Sequence, residues 1–402
     1  MNTTKIVDKS SFVKEKSDID FCSNGHLTLG VEIELQIIDS NSLSLVNRAS
    51  EIIDLAQKNG STSFKQEMYQ SAIEVVTDKC QNVHEIEQDF LNSLNLIDKF
   101  TPKDIKYATN GTHPKFFYNN YQLTDLQRYH DMIQVNQIMS RRVSNFFGLH
   151  VHLGLRSGND AIRFNNFFLE LVPHLIALSA SSPFWCGEDS GLNSVRLSNY
   201  EAHPCSGHPF LVNNWQEFED LYFALKKSKS ITTTKDLWWD IRPSPNYGTI
   251  EIRVCDGLSN LKEAVAITAF IHLLAYWFED NSEPNQEFLA PKSWRMRQNK
   301  CNALRYGIEA DILLDDLGNS ISLKKDLINW LDKLSKYEEK LGYQRYVSTI
   351  RNIIQNGNSS QRQREVFLKN NSIDEVILHN ISEFENKQPI WQTSEQRFSK
   401  IS

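Results

Sequence analysis

The stretch Gly30-Val-Glu-Ile-Glu-Leu-Gln-Ile37 alternates apolar and polar residues with a period of two, the pattern of a strand with one face on a core. Val31, Ile33, Leu35 and Ile37 share one face, and Glu32, Glu34 and Gln36 share the other. The two carboxylates stand two residues of strand rise apart, about 6.8 Å. Like charges at that separation repel when partly withdrawn from water, unless a cation or a proton lies between them. Taken alone, such a pair is more often a solvated strand face.

Three further stretches repeat the arrangement. Ser71-Ala-Ile-Glu-Val-Val-Thr77 carries Glu74 among apolar neighbours, with Glu67 seven residues earlier. In Leu149-His-Val-His-Leu-Gly-Leu155, Val151, Leu153 and Leu155 face one way, while His150, His152, Gly154 and Arg156 face the other. Two imidazoles aimed at one space suit a metal or a phosphate. Thr249-Ile-Glu-Ile-Arg-Val-Cys255 sets Glu251 and Arg253 opposite Ile250, Ile252 and Val254. Each motif alone also fits an ordinary edge or salt-bridged face. If the strands share one sheet, however, five carboxylates, imidazoles and arginines line one surface. That exceeds what a single zinc needs and suits two or three hard divalent cations, which prefer oxygen ligands and share substrate phosphates. Arginine supplies the planar donors that neutralise a phosphoryl group in transfer. The chain lacks G-x-x-x-x-G-K-[ST], so the chemistry expected is nucleotide phosphoryl transfer without a P-loop.

The whole chain sets bounds on this reading. Its 402 residues carry 43 Lys+Arg against 50 Asp+Glu, a formal charge of -7, with no basic stripe of the kind nucleic-acid binders show. Residues 1–24 alternate lysines with acids, lack an apolar signal core and read as a mobile leader. The longest apolar run, Ala264–Phe278, is interrupted by Thr268 and His272 and reads as a buried helix too short to span a bilayer. Six cysteines are scattered without a C-x-x-C pair, as in reduced cytoplasmic proteins. The expectation is a cytoplasmic protein with no nucleic-acid or membrane partner. Mixed strands and helices run to about Asp256. A helical period then runs from Leu323 through Leu327, Ile328, Leu331 and Leu334 to Leu341, with Gly342 as its stop. The organisation expected is a leader (1–24), a catalytic α+β body (25–285) and a helical C-terminal region (286–402) packed on the same domain.

The motifs together resemble a known family. Gly30-Val-Glu-Ile-Glu34, Glu67 and Glu74, Gly148-Leu-His-Val-His-Leu-Gly154, Ser182-Pro-Phe-Trp185 with Ser190-Gly-Leu-Asn-Ser-Val-Arg196, and Lys235-Asp-Leu-Trp-Trp-Asp-Ile-Arg-Pro243 with Gly248-Thr-Ile-Glu-Ile-Arg-Val-Cys-Asp256 are similar to those of the YbdK-type carboxylate–amine ligases, relatives of one type of glutamate–cysteine ligase. The likeness runs from about residue 25 to the 356–364 region. It implies a glutamine synthetase-type fold, a curved and mainly antiparallel sheet with helices on its convex face. It implies ATP and two or three Mg²⁺, or Mn²⁺, as cofactors, amino acid and amine substrates, and a homodimer. By resemblance, Glu34, Glu67 and Glu74 hold one metal, Glu32, His150 and Glu251 hold another beside the γ-phosphate, and His152 lies near the nucleotide. Arg253 and Arg242 look like phosphate and carboxylate clamps, and Arg196 like a contact to the substrate acid.

The chain has Asp189-Ser-Gly191 where the family has Asp-Thr-Gly, so a hydroxyl is kept while substrate detail is left open. Asn299 and Arg305 are candidate additional site residues, and Tyr200–Phe210 a candidate amine-pocket wall. His113 and His130 carry no role beyond core or surface placement. The activity implied is ATP-dependent amide formation through an acyl phosphate, from glutamate and cysteine or another amine. A metal-dependent amide hydrolase and a non-catalytic binding protein are the alternative readings.

Overall fold

The computed structural model describes residues 19–116, 121–136, 141, 143–203, 205–283, 288–289 and 291–391. Its centre is a seven-stranded sheet built from β1 (Leu29–Asp39), β2 (Phe64–Gln66), β3 (Ala72–Val76), β4 (Ile105–Ala108), β5 (Gly148–Gly154), β6 (Ile241–Ser244) and β7 (Thr249–Asp256). The order is β6-β7-β5-β1-β3-β2, with β4 also on β1, and every pairing is antiparallel. β1 shows why the period-two reading holds: Leu29, Val31, Ile33 and Leu35 are buried while Gly30, Glu32 and Glu34 between them are only half-buried. The alternation stops at Gln36, which is buried and donates from Nε2 to the Asn110 carbonyl (3.0 Å). Gln36 thus ties the strand to a neighbouring loop.

The apolar face is covered by helices Gly158–Ser179 and Leu261–Asn281, whose buried residues join the strands in one core. Both are started by their caps, Ser157 accepting from the Asp160 amide and Asn260 from the Glu263 amide, which satisfies otherwise orphaned N–H groups. Leu261–Asn281 is longer than the apolar run within it. At 21 residues it is long and apolar enough to cross a membrane, and 83% of its most apolar window is buried inside the protein, so packing and not length accounts for its composition.

The C-terminal part supplies helices Ser293–Tyr306, Leu323–Leu341, Gln344–Asn356, Ser359–Asn370 and Ile373–Asn386. Leu327, Leu331, Tyr343 and Ile350 pack in the same cluster as Val31 and Leu149. Helix Leu323–Leu341 ends on Gly342 in the left-handed region, but Ile328 faces outward, 42% exposed. A short hairpin, Asp311–Leu313 with Ser320–Ser322, interrupts the helical series. Its first strand is held by Asn299, which accepts from the Leu313 amide and donates to its carbonyl (2.7 and 2.9 Å).

Residues 1–18 of the expected leader lie outside the described residues. Residues 19–24 pack onto the body: Ile19 is fully buried, Phe21 meets the Trp215 ring edge-on, and the Cys22 amide donates to the Pro245 carbonyl (2.9 Å). Apolar Ile19 and Phe21 have a surface to bury against, and the lysine-rich pattern before them does not reveal it.

Candidate active site

Cross-strand register decides which polar side chains meet. On the uncovered face, Glu32 lies opposite His150, Glu34 opposite Glu74, and Glu251 opposite His152. Glu67 follows β2 directly, placed by its carbonyl accepting from Thr124 Oγ1 (2.6 Å). The β7–β5 register shifts between Ile252 and Cys255, an irregularity of the kind that re-aims a side chain. Arg253 sits there, its amide donating to the Asp240 carbonyl (2.8 Å).

Among the described residues, three groups of ligand atoms lie within 4.8 Å of one another: Glu34–Glu67–Glu74, Glu32–Glu74–His150 and Glu32–His152–Glu251. The first is the set named from the resemblance. The second named set divides, because β5 places His152, and not His150, directly across from Glu251. His150 Nδ1 and His152 Nε2 each lie 3.3 Å from a Glu32 oxygen, and His152 Nε2 lies 4.0 Å from Glu251. His152 therefore joins the groups that could hold a cation.

The charge balance is uneven. Burial, joined by the charges of Glu32, Glu67 and Glu34, raises the Glu74 carboxyl well above its ordinary value. Burial also raises Glu34 and Glu67, the latter with help from Glu32. For Glu32, burial pushes upward, but hydrogen bonds to both histidines overcome it and hold the group well below the carboxylate range. Burial likewise works against ionised Glu251, and the Arg242 and Arg253 charges overcome it. Arg242 Nε donates to Glu251 Oε2 (2.7 Å), and Arg253 Nη1 pairs with its other oxygen. His150 Nε2 is buried, 3.9 Å from Glu34 Oε1, and makes no hydrogen bond. Carboxylates left repelling one another beside an unspent imidazole nitrogen are a donor set that hard divalent cations fit. The residues that would hold them are those of the three groups.

The cleft they line has a volume of about 320 Å³ and also takes in Arg196, Arg242 and Arg253. Arg196 is buried, its guanidinium 5.7 Å over the Tyr200 ring, and Tyr200 Oη accepts from Arg253 Nη2 (3.5 Å). Gly148 makes room for the charged groups: a Cβ there would stand 2.6 Å from both Arg196 Nη2 and His150 Nε2. Only the beginning of Tyr200–Phe210 reaches the cleft. Tyr200 stacks on Trp238 (5.5 Å), which stacks on His203 (4.3 Å), whereas Phe210 is 54% exposed and leans on Trp239; Pro204 lies outside the described residues. Asn299 and Arg305 do not line the cleft. Asn299 clamps the hairpin, and Arg305 faces solvent with its guanidinium 5.7 Å over Tyr306. His113 is buried and His130 pairs with Asp125 at the surface (3.0 Å).

Sequence reasoning passed over Tyr129, Arg128 and Tyr247, which also line the cleft. Tyr247 stands 5.6 Å edge-on to the His152 ring. Arg128 and Tyr129 lie on helix Gln127–Asn136, whose polar sequence carries no motif; Arg128 reaches the Lys235 carbonyl (3.2 Å) and Asp236 (3.3 Å).

A sheet whose polar face gathers acids, imidazoles and arginines over a helix-packed core is a plan that fits a carboxylate–amine ligase. Residues 28–379 match the profile of the glutamate–cysteine ligase family 2, and the chain belongs to that family. It is 38% identical over 360 residues to a Bdellovibrio bacteriovorus protein provisionally named glutamate–cysteine ligase 2, covering 89% of this chain and 95% of that one. A Thermobifida fusca protein with the same provisional name is 34% identical over 384 residues, 94% and 96% of the two chains. Among solved structures, the glutamate–cysteine ligase of Francisella tularensis in complex with AMP superposes with a TM-score of 0.68 at 13% identity, over 94% of this chain and 92% of that one. A bifunctional glutathione synthetase from Pasteurella multocida matches at 0.59 and 12%, over 89% of this chain and 53% of that one. At these identities the structural likeness speaks for the fold.

Proposed function

We propose that this ligase activates the γ-carboxyl of glutamate with ATP and joins it to cysteine or a related amine, through an acyl phosphate. A carboxylate is a poor electrophile in water. Transfer of the γ-phosphoryl group of ATP to a carboxylate oxygen releases ADP and leaves an acyl phosphate. The amine nitrogen attacks the carbonyl carbon and loses a proton, the C–O bond to phosphate breaks, and an amide and inorganic phosphate result. Divalent cations, when bound, neutralise phosphate charge and act as Lewis acids.

The chain's own groups do the rest. Glu32, Glu34, Glu67, Glu74, Glu251, His150 and His152 hold the cations. Arg242 and Arg253, drawn onto Glu251 here, supply planar donors for charge that develops in transfer. Arg196, beside Tyr200, faces the acid substrate's carboxylate. The wall of Tyr200 and Trp238 shields the acyl phosphate from water. The observation that carries this reading is the crowding of five carboxylates and two imidazoles onto one sheet face, with arginines at its edge.

The partners proposed are amino acids and amines, with no nucleic acid or membrane. No disulfide joins cysteines among the described residues, which supports a reducing cytoplasm, and a homodimer is expected in sedimentation equilibrium. The deciding experiment incubates the protein with ATP, Mg²⁺, glutamate and a pool of amino acids and amines, and reads masses. ADP together with a product of acid plus amine minus water supports the proposal and names the amine. Intact ATP with cleavage of a γ-glutamyl amide would replace it with a hydrolase. Glu34→Gln and Glu251→Gln should abolish ADP formation with the fold retained; undiminished turnover in either would remove that residue from the site.

A further inference from the structure

Behind Arg196, outside the cleft lining, lies a buried constellation that the proposed chemistry leaves unused. Asp256 ends β7 and is fully buried. Its Oδ2 accepts from Ser182 Oγ (2.7 Å) and the Ser181 amide (3.0 Å), and its Oδ1 accepts from Ser194 Oγ (2.9 Å). Arg196 Nη1 stands 3.7 Å from Oδ1 and donates to the Cys255 carbonyl (3.3 Å), while the Arg196 amide donates to Ser182 Oγ (3.3 Å). Gly111 closes the far side, where a Cβ would come within 2.5 Å of Asp256 Cγ.

A buried carboxylate facing a buried guanidinium ordinarily takes it bidentately, at 2.7–2.9 Å. Here three donors already occupy the carboxylate, and the arginine is held off. Arg196 Nε is buried without a hydrogen-bond partner. A cation oriented by a near acid that is already engaged by other donors keeps its charge and its Nε–H available for an anion arriving from the cleft.

We infer that Asp256, held by hydrogen bonds from Ser181, Ser182 and Ser194, is a positioning residue that aims Arg196 at the carboxylate of the acid substrate. This rests on the proposed role of Arg196. It also gives work to two motifs otherwise without a function, the serines around Ser182-Pro-Phe-Trp185 and the Val-Cys-Asp256 end of β7.

The test measures KM separately for L-glutamate and ATP in the wild type, Asp256→Asn, Arg196→Lys and their double variant. Asp256→Asn should raise the L-glutamate KM about tenfold, the scale of one charged hydrogen bond misplaced, with the ATP KM within about twofold. Because both changes act on one guanidinium, the double variant should be no worse than Arg196→Lys alone. Equal rises in both KM values, no rise, or additive losses would overturn the inference. Should Asp256→Asn fail to fold, Ser182→Ala/Ser194→Ala keeps the acid and loosens its clamp; it should raise the glutamate KM severalfold, and an unchanged value would overturn the inference. A wild type that forms no ADP would defeat the proposed function instead. A crystal structure of Asp256→Asn would then decide: a displaced Arg196 guanidinium supports the positioning role, and an unmoved one overturns it.

Discussion

At the scale of single residues, the site is defined as much by what is missing as by what is charged. Gly148 has no side chain where a methyl group would strike Arg196 and His150. Gly148→Ala should therefore lower kcat/KM by tenfold or more, as misplaced catalytic groups do, and steady-state kinetics on the folded variant check it. Glu74 shows the opposite economy. Its charge is opposed by burial and by three neighbouring carboxylates, so without cations it works against folding. Glu74→Gln should raise the melting temperature in EDTA by a few degrees, while shrinking the further rise expected of the wild type with Mg²⁺ from binding to the native state. A thermal melt series with and without Mg²⁺ reads both; a variant less stable in EDTA, or one stabilised by Mg²⁺ as fully as the wild type, would remove Glu74 from the cation groups.

At the scale of elements, helix Ser359–Asn370 holds the site scaffold from behind. Ser360 Oγ donates to the Asn193 carbonyl, Gln363 Nε2 to the Ser181 carbonyl (2.7 Å), and Asn358 Nδ2 to the Ala177 carbonyl (2.9 Å). Within it Arg362 is buried between Glu263 and Glu383, with four hydrogen bonds of 2.6–2.9 Å. Burial alone would push Glu383 upward, but the Arg362 charge and the His379 hydrogen bond bring it down to about 2. In the unfolded chain the same group takes a proton near 4.5. Between those values the unfolded state binds more protons, so stability falls as pH falls. The stabilisation is fully present above about 4.5 and lost as pH drops through 2. Melting temperatures across that window should fall less steeply in Glu383→Gln than in the wild type; equal slopes would mean Glu383 does not titrate there.

How far the sequence foretold this depends on the period of each element. β1, β5 and β7 announce themselves because one face is core and the other chemistry, so Glu32, His150 and Glu251 could be named from alternation. Register could not be read from any strand alone, which is why the pairing of His152 with Glu251 emerged only in three dimensions. Arg128 was illegible because its helix, Gln127–Asn136, has a polar sequence that carries no motif. Ile19 and Phe21 were hidden by the charged pattern in front of them.

At the scale of the whole molecule, sheet and C-terminal helices share one core. A chain cut after Gly357 would lose Asn358, Ser360, Arg362 and Gln363 together, leaving Glu263 a buried charge without its partner, a loss of several kcal/mol. Such a truncation should yield insoluble or unfolded protein, checked by far-UV circular dichroism. A folded, active fragment would show that the helices are an accessory.

The strand order has a further consequence, for the chain while it is being made. β5 is flanked by β1 on one side and β7 on the other, so the first and last pieces of the cluster meet across a strand from mid-sequence. A nascent chain still short of Thr249 lacks Glu251 and Arg253, and β5 has an open edge where β7 will lie. Translation order thus sets a sequence of completion: a ribosome-bound fragment that ends before Thr249 carries Glu32, Glu34, Glu67 and Glu74 but neither Glu251 nor the strand that closes the open edge of β5, and the helix that clamps the sheet from behind follows about a hundred residues later.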